Sequence, residues 1–152
     1  MTEEWITHLK KEEGCKLTPY FDFAGYPTIG FGHLLKSIDH PPITMEEAER
    51  LLREDAAKAE AGALQLCPNL SKYPRRLAAL ADLVYNVGKG ALDGEDPLSP
   101  LDDSGTVKAF RREDWKDAAE RYLKWDKAGR PLVVSNVLHH RRAAVQAWIL
   151  EG

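Results

Sequence analysis

The chain has 152 residues, 43% of them hydrophobic and 30% charged, with a formal net charge of −3 at pH 7. That length makes about one domain with a buried core; no run of eighteen apolar residues offers a membrane span, and the charged amphipathic N-terminus lacks the apolar core of a signal peptide, so stable membrane insertion is not expected. Cys15 and Cys67 are too few for a disulfide framework and read as partly buried thiols, no Cys or His pair has zinc spacing, and Lys and Arg are dispersed with no nucleic-acid-binding signature, so no metal, cofactor or nucleic-acid partner is expected.

In chain order, Thr2 is a candidate N-cap, Glu3 and Glu4 favour the positive end of the helix dipole, and Trp5, Ile6 and Leu9 share a face. This predicts a helix over about 2–13, stopped by Gly14. Leu17 to Phe21 and Thr28 to Phe31 then flank Asp22-Phe23-Ala24-Gly25-Tyr26-Pro27, whose Gly and Pro predict a hairpin turn. Thr44 with Glu47 forms a capping box, and the Ala-, Leu- and charge-rich run from Met45 to about Leu66 predicts a long helix ended by Pro68. Beyond it, Leu77, Leu80, Ala81, Val84 and Tyr85 predict a helix over 75–87. Thr106 is read as the cap of a short helix, Asp114-Trp115 as the start of one running to Trp125, and Ser135 as the cap of the last, which is anchored by Val137, Leu138, Val145, Trp148 and Ile149. The fold class is therefore mainly α, with one small hairpin (α+β).

The chemistry gathers in residues 13–33. Glu13 ends the first helix, while Asp22 and Thr28 sit on either side of a turn that can fold back beside it. Glycoside hydrolysis needs an acid to protonate the departing oxygen and a second carboxylate to activate water, act as nucleophile or stabilise positive charge. A glutamate against apolar neighbours suits the first task and an aspartate on a wetter hairpin the second, with a threonine hydroxyl to orient water. Spacing alone equally accommodates a helix-end glutamate and a turn aspartate of purely local use.

The motif decides between these. Glu13-Gly14, Asp22 with eight residues between it and Glu13, Thr28 with five between it and Asp22, and then Ile29-Gly30-Phe31-Gly32-His33 closely resemble the active-site segment of the phage-type lysozymes, endolysins that cut bacterial peptidoglycan. Downstream, Asn86-Val87-Gly88-Lys89-Gly90, Trp125-Asp126-Lys127-Ala128-Gly129 and Arg141-Arg142 resemble further signatures of that family. The chain departs from the pattern at Ala91-Leu92, in the acidic stretch from Asp93 to Asp103, and at Val145.

The resemblance implies a single lysozyme-like domain over 1–152. It would have a small hairpin-bearing lobe over about 1–43, a linking helix over 44–66, a larger helical lobe over 67–152, and a cleft between the lobes. It implies a muramidase cutting the β-1,4 bond between N-acetylmuramic acid and N-acetylglucosamine. Glu13 would be the general acid and Asp22 with Thr28 would hold the water, an inverting arrangement that suits a carboxyl separation of roughly 6.5–9.5 Å. Tyr20, Phe31, Gly32, His33, Leu34, Asn86 and Gly88 are the expected substrate-binding residues, although a structural histidine and a packed glycine read as well at His33 and Gly32. Arg141 or Arg142 is read as a partner for Glu13 or as a surface charge. The expected partner is the peptidoglycan glycan strand and the expected state a monomer, made in the host bacterial cytoplasm and reaching the wall after membrane permeabilisation.

The acidic stretch carries five carboxylates and reads as a solvated loop that overhangs the cleft and influences which strands enter. Residues 1–105 carry 11 Lys and Arg against 18 Asp and Glu, and residues 106–152 carry 10 against 6. A positive C-terminal part suits an anionic glycan or stem peptide, and equally suits ordinary solvated helix faces. Three alternatives stand beside the muramidase: a lytic transglycosylase, which needs only the acid; a non-catalytic wall-binding module; and a toxin or tail-associated enzyme of the same chemistry.

Overall fold

The computed structural model describes residues 1–87, 101, 104–128 and 133–152. Gly88, and the acidic stretch apart from Leu101, lie outside the described residues. The element order is α1 (Glu3–Glu13), β1 (Lys16–Phe21), β2 (Pro27–Gly30), β3 (His33–Leu34), α2 (Met45–Leu66), a 3-10 turn (Pro68–Lys72), α3 (Pro74–Val87), α4 (Gly105–Arg111), α5 (Trp115–Leu123), β4 (Lys127–Ala128), β5 (Val133–Val134) and α6 (Asn136–Glu151). The class is the mainly α one with a small hairpin that the periodicity predicts. The chain forms two compact units, Met1–Lys58 and Ala59–Gly152, whose boundary falls within α2. Among the described residues, no helix is long and apolar enough to cross a membrane.

In the first unit, Thr2 caps α1 by accepting from the Trp5 N–H at 3.2 Å, and Gly14 closes it at φ 62° with its N–H on the Lys10 carbonyl. Trp5, Ile6 and Leu9 are buried together with Ile29, Phe31, Ala48, Leu52 and Ala56. Lys10–Glu49 at 2.7 Å and Arg53–Glu3 at 2.9 Å tie α1 to α2. Such solvent-exposed pairs contribute ~0–1 kcal/mol each, so the apolar faces carry the packing. Thr44 caps α2 through the Glu47 N–H at 3.1 Å, but the Glu47 carboxylate turns to Arg50, so the capping box is made on one side only.

The sheet is antiparallel in the order β1-β2-β3, with Tyr20 opposite Thr28, Phe21 opposite Pro27, Thr28 opposite Leu34 and Ile29 opposite His33. Asp22 N–H to Tyr26 O and Gly25 N–H to Asp22 O, both 2.9 Å, close the hairpin. Gly25 sits at φ 86°, as a type I turn followed by a glycine bulge requires.

In the second unit, α3, α5 and α6 bury Leu77, Leu80, Leu83, Val84, Ala118, Tyr122, Val145, Trp148 and Ile149. Two boundaries differ from the sequence reading. Ser104, in extended conformation, caps α4 by accepting from the Val107 N–H at 3.2 Å; Thr106 lies inside the helix, 3% exposed, and accepts from the Trp125 indole N–H at 2.9 Å. A hydroxyl caps only from the residue that precedes helical backbone, so of these neighbouring candidates the earlier one takes the role. The helix opened by Asp114 ends at Leu123 rather than Trp125, with Lys124 and Trp125 turning back onto the Arg121 and Tyr122 carbonyls. The two-residue strands β4 and β5 carry no alternating pattern long enough to be read beforehand.

Candidate functional site

Residues directly opposite in an antiparallel ladder share a face, and residues two apart along a strand do so as well. Tyr20, Thr28 and Leu34 therefore form a row across the three strands on one face. The ladder runs on through the Asp22 N–H to the Tyr26 carbonyl, which sets Asp22 and Tyr26 on that face too. Four of the residues singled out from sequence, Tyr20, Asp22, Thr28 and Leu34, thus converge on one side of the sheet.

Their local bonds fix them. Thr28 is 2% exposed and donates its hydroxyl to the Tyr26 carbonyl at 2.8 Å, which leaves its oxygen with acceptor capacity only. Asp22 Oδ1 accepts from the Ala24 N–H at 2.9 Å and the Tyr26 N–H at 2.8 Å. The carboxylate is therefore a turn-former as well as a candidate for chemistry. Both of these bonds fall on Oδ1.

Glu13 is the last residue of α1, where a carboxylate opposes the negative end of the helix dipole. Its side chain reaches the loop between β2 and β3. Gly32 has φ 76°, and a Cβ placed on it would stand 2.9 Å from Glu13 Oε2. The bare glycine backbone is what admits the carboxylate. The Tyr20 hydroxyl reports the same convergence: its pKa is raised first by burial and then by the charges of Glu13 and Asp22, so one ring lies in the field of both carboxylates.

The remaining expected residues divide. Phe31 is 6% exposed and belongs to the core, whereas Leu34 is 50% exposed. His33 lies opposite the buried Ile29, on the other face of the sheet from Thr28, and its Nδ1 donates to Asp55 Oδ2 at 2.6 Å. Asp55 stands on α2, so the pair clamps the sheet to that helix. Asn86 belongs to the second unit, where its Oδ1 accepts from Arg142 Nη2, and it borders a cavity of about 640 Å³ together with Thr106, Trp125 and Arg142. Arg141 and Arg142 are 4% and 1% exposed, so neither is a surface charge: Arg141 holds Asp82 at 2.8 and 3.1 Å, and Arg142 donates to the Trp125 carbonyl at 2.9 Å. Among the described residues the buried Arg142 Nη1 has no hydrogen-bond partner, and it lies 3.8 Å from Asp82 Oδ2.

Sequence reasoning missed Asp55 and Asp82, whose partners are remote in the chain. Among the described residues no cluster of three or more His, Cys, Asp or Glu side chains is arranged to hold a metal ion.

A family model described as phage lysozyme matches residues 10–145. The endolysin of Salmonella phage P22 is 34% identical over 150 residues, spanning 95% of this chain and 94% of that protein. Among solved structures, an endolysin from the Escherichia coli O157:H7 phage FAHEc1 has a TM-score of 0.76 at 28% identity, covering 99% of this chain and 92% of the other. A mutant of P22 lysozyme has a TM-score of 0.71, also at 28% identity, covering 99% and 97%.

Proposed function

Because this chain belongs to the phage lysozyme family, we propose that it is an endolysin hydrolysing the β-1,4 bond between N-acetylmuramic acid and N-acetylglucosamine in bacterial peptidoglycan. Glu13 acts as general acid and protonates the glycosidic oxygen as its bond to the anomeric carbon breaks. A water attacks that carbon from the other side of the ring. Asp22 takes one proton of this water, and the Thr28 hydroxyl, already donating to the Tyr26 carbonyl, accepts a hydrogen bond from the other.

The observation that carries the reading is that the Glu13 carboxylate lies against the bare backbone of Gly32, in the β2–β3 loop of the sheet that bears Asp22 and Thr28, while Tyr20, on the face of those two residues, lies in the field of both carboxylates. Acting on the cell wall follows from the substrate.

The test is digestion of isolated Gram-negative peptidoglycan by the wild type and by Glu13→Gln, with mass spectrometry of the muropeptides and reducing-end detection. Reducing muramic acid ends from the wild type, with a loss of about 10²-fold or more in Glu13→Gln, are expected. Anhydro ends would make the protein a lytic transglycosylase, and binding without cleavage a wall-binding module.

A further inference from the structure

Tyr26 is joined to both water-handling groups through its backbone alone. Its carbonyl accepts from the Asp22 N–H at 2.9 Å and from the Thr28 hydroxyl at 2.8 Å, and its N–H donates to Asp22 Oδ1 at 2.8 Å. These bonds hold the Cα of Tyr26 in fixed relation to Asp22 and Thr28, whatever the side chain is. The side chain takes no part in them. It is 61% exposed, and among the described residues the ring and hydroxyl have no aromatic, cationic or hydrogen-bonding partner.

Like Phe21 and Phe23 of the same hairpin, the ring gains little from burial, and what sets it apart is the face it stands on. The ring shares its face with Tyr20, Asp22, Thr28 and Leu34 by cross-strand pairing and by the period of two. Tyr20 on that row is half-buried and Leu34 is 50% exposed, so the face presents an apolar surface beside the polar pair. A phenol ring on a rigid backbone presents a large contact area at little entropic cost, with a hydroxyl at its far end.

Resting on the muramidase reading above, we infer that Tyr26 is a substrate-contacting, specificity-determining residue whose ring stacks on the apolar face of an N-acetylhexosamine unit of the glycan strand. Its ring ranks substrates by how many sugar units reach it, and its backbone holds Asp22 and Thr28 in register.

The experiment measures kcat and KM for the full-length protein and for Tyr26→Ala, Tyr26→Phe and Tyr26→Trp. The substrates are defined glycan strands of increasing length, with thermal unfolding of each variant recorded alongside. Every variant keeps the backbone bonds. Tyr26→Ala is expected to raise KM on long strands by about three- to tenfold, with kcat within about twofold and the melting temperature unchanged. Phe and Trp at this position are expected to restore KM, because stacking needs the ring rather than the hydroxyl. An unchanged KM in Tyr26→Ala would overturn the inference, and so would a fall in kcat together with melting temperature, which would make the ring a structural support. Failure of the muramidase reading shows separately, as the absence of Glu13-dependent reducing ends from the wild type.

Discussion

Gly32 combines a left-handed backbone with a close carboxylate, Glu13. A methyl group at Gly32 would meet Glu13 Oε2 at 2.9 Å, and the backbone angle of 76° is one that residues with a Cβ rarely adopt. Gly32→Ala is therefore expected to lower activity by at least about tenfold and stability by ~1–2 kcal/mol. Reducing-end release and urea unfolding read the two effects, and a fully active variant would show that the carboxylate has room to move aside. Asp22 shows the opposite economy: a single oxygen closes the turn with Ala24 and Tyr26, and the same carboxylate is the one proposed to take the proton of water. Both residues stand out in the sequence because their contacts lie within one short, glycine-marked segment. The exposed ring of Tyr26 does not, since a lone aromatic in a turn looks like any other surface residue until the strand register gives it a face.

Helix ends and strand junctions hold the second unit's outline. Asp126 joins the start of the β4–β5 pair to α6: its carbonyl accepts from the Ser135 N–H at 2.7 Å, and its Oδ2 accepts from His139 Nδ1 at 2.9 Å. The hydrogen bond from His139, helped by the Lys127 charge and opposed by desolvation, holds the Asp126 carboxyl below its ordinary value of 3.8. A carboxylate whose pKa is depressed on folding stabilises the fold at pH above its unfolded value, and loses that contribution as pH falls through the folded value. Urea unfolding of the wild type and Asp126→Asn should accordingly differ at pH 6 and converge as the pH falls below about 3.8. A difference that persists at pH 2 would mean that the pair acts by shape rather than charge. The long elements α1, α2 and α3 were plain in the sequence, repeating apolar residues over whole turns with proline, glycine or a capping hydroxyl at their ends, whereas α6 kept its cap at Ser135 but leaves the expected anchor Val137 exposed and buries Arg141 and Arg142 instead. Neighbouring Ser104 and Thr106 give α4 two possible caps, and nothing local ranks them until Trp125 claims the second.

The helical unit keeps a buried ionic centre at the level of the whole chain. Asp82 is fully buried, Arg141 grips it through two nitrogens, and Arg142 Nη1 lies 3.8 Å away. Removing a buried counter-ion strands its partners, so Asp82→Ala is expected to cost about 3–5 kcal/mol and to lower the melting temperature by about 10 °C in calorimetry. A loss below about 1 kcal/mol would show that the two guanidinium groups find other acceptors. This pairing joins positions 59 apart, and the His33–Asp55 clamp joins positions 22 apart. Family, helix pattern and hairpin were legible without coordinates, because periodicity, caps and short motifs are written in neighbouring residues; the proposal of Glu13, Asp22 and Thr28 as the acting residues rests on the same short segment. Which face of the sheet each side chain takes, the burial of Phe31, the turning of His33 toward α2 and the counter-ions of the paired arginines came from the folded chain. Charge pairing and packing act through space, and between remote residues they leave no spacing to read.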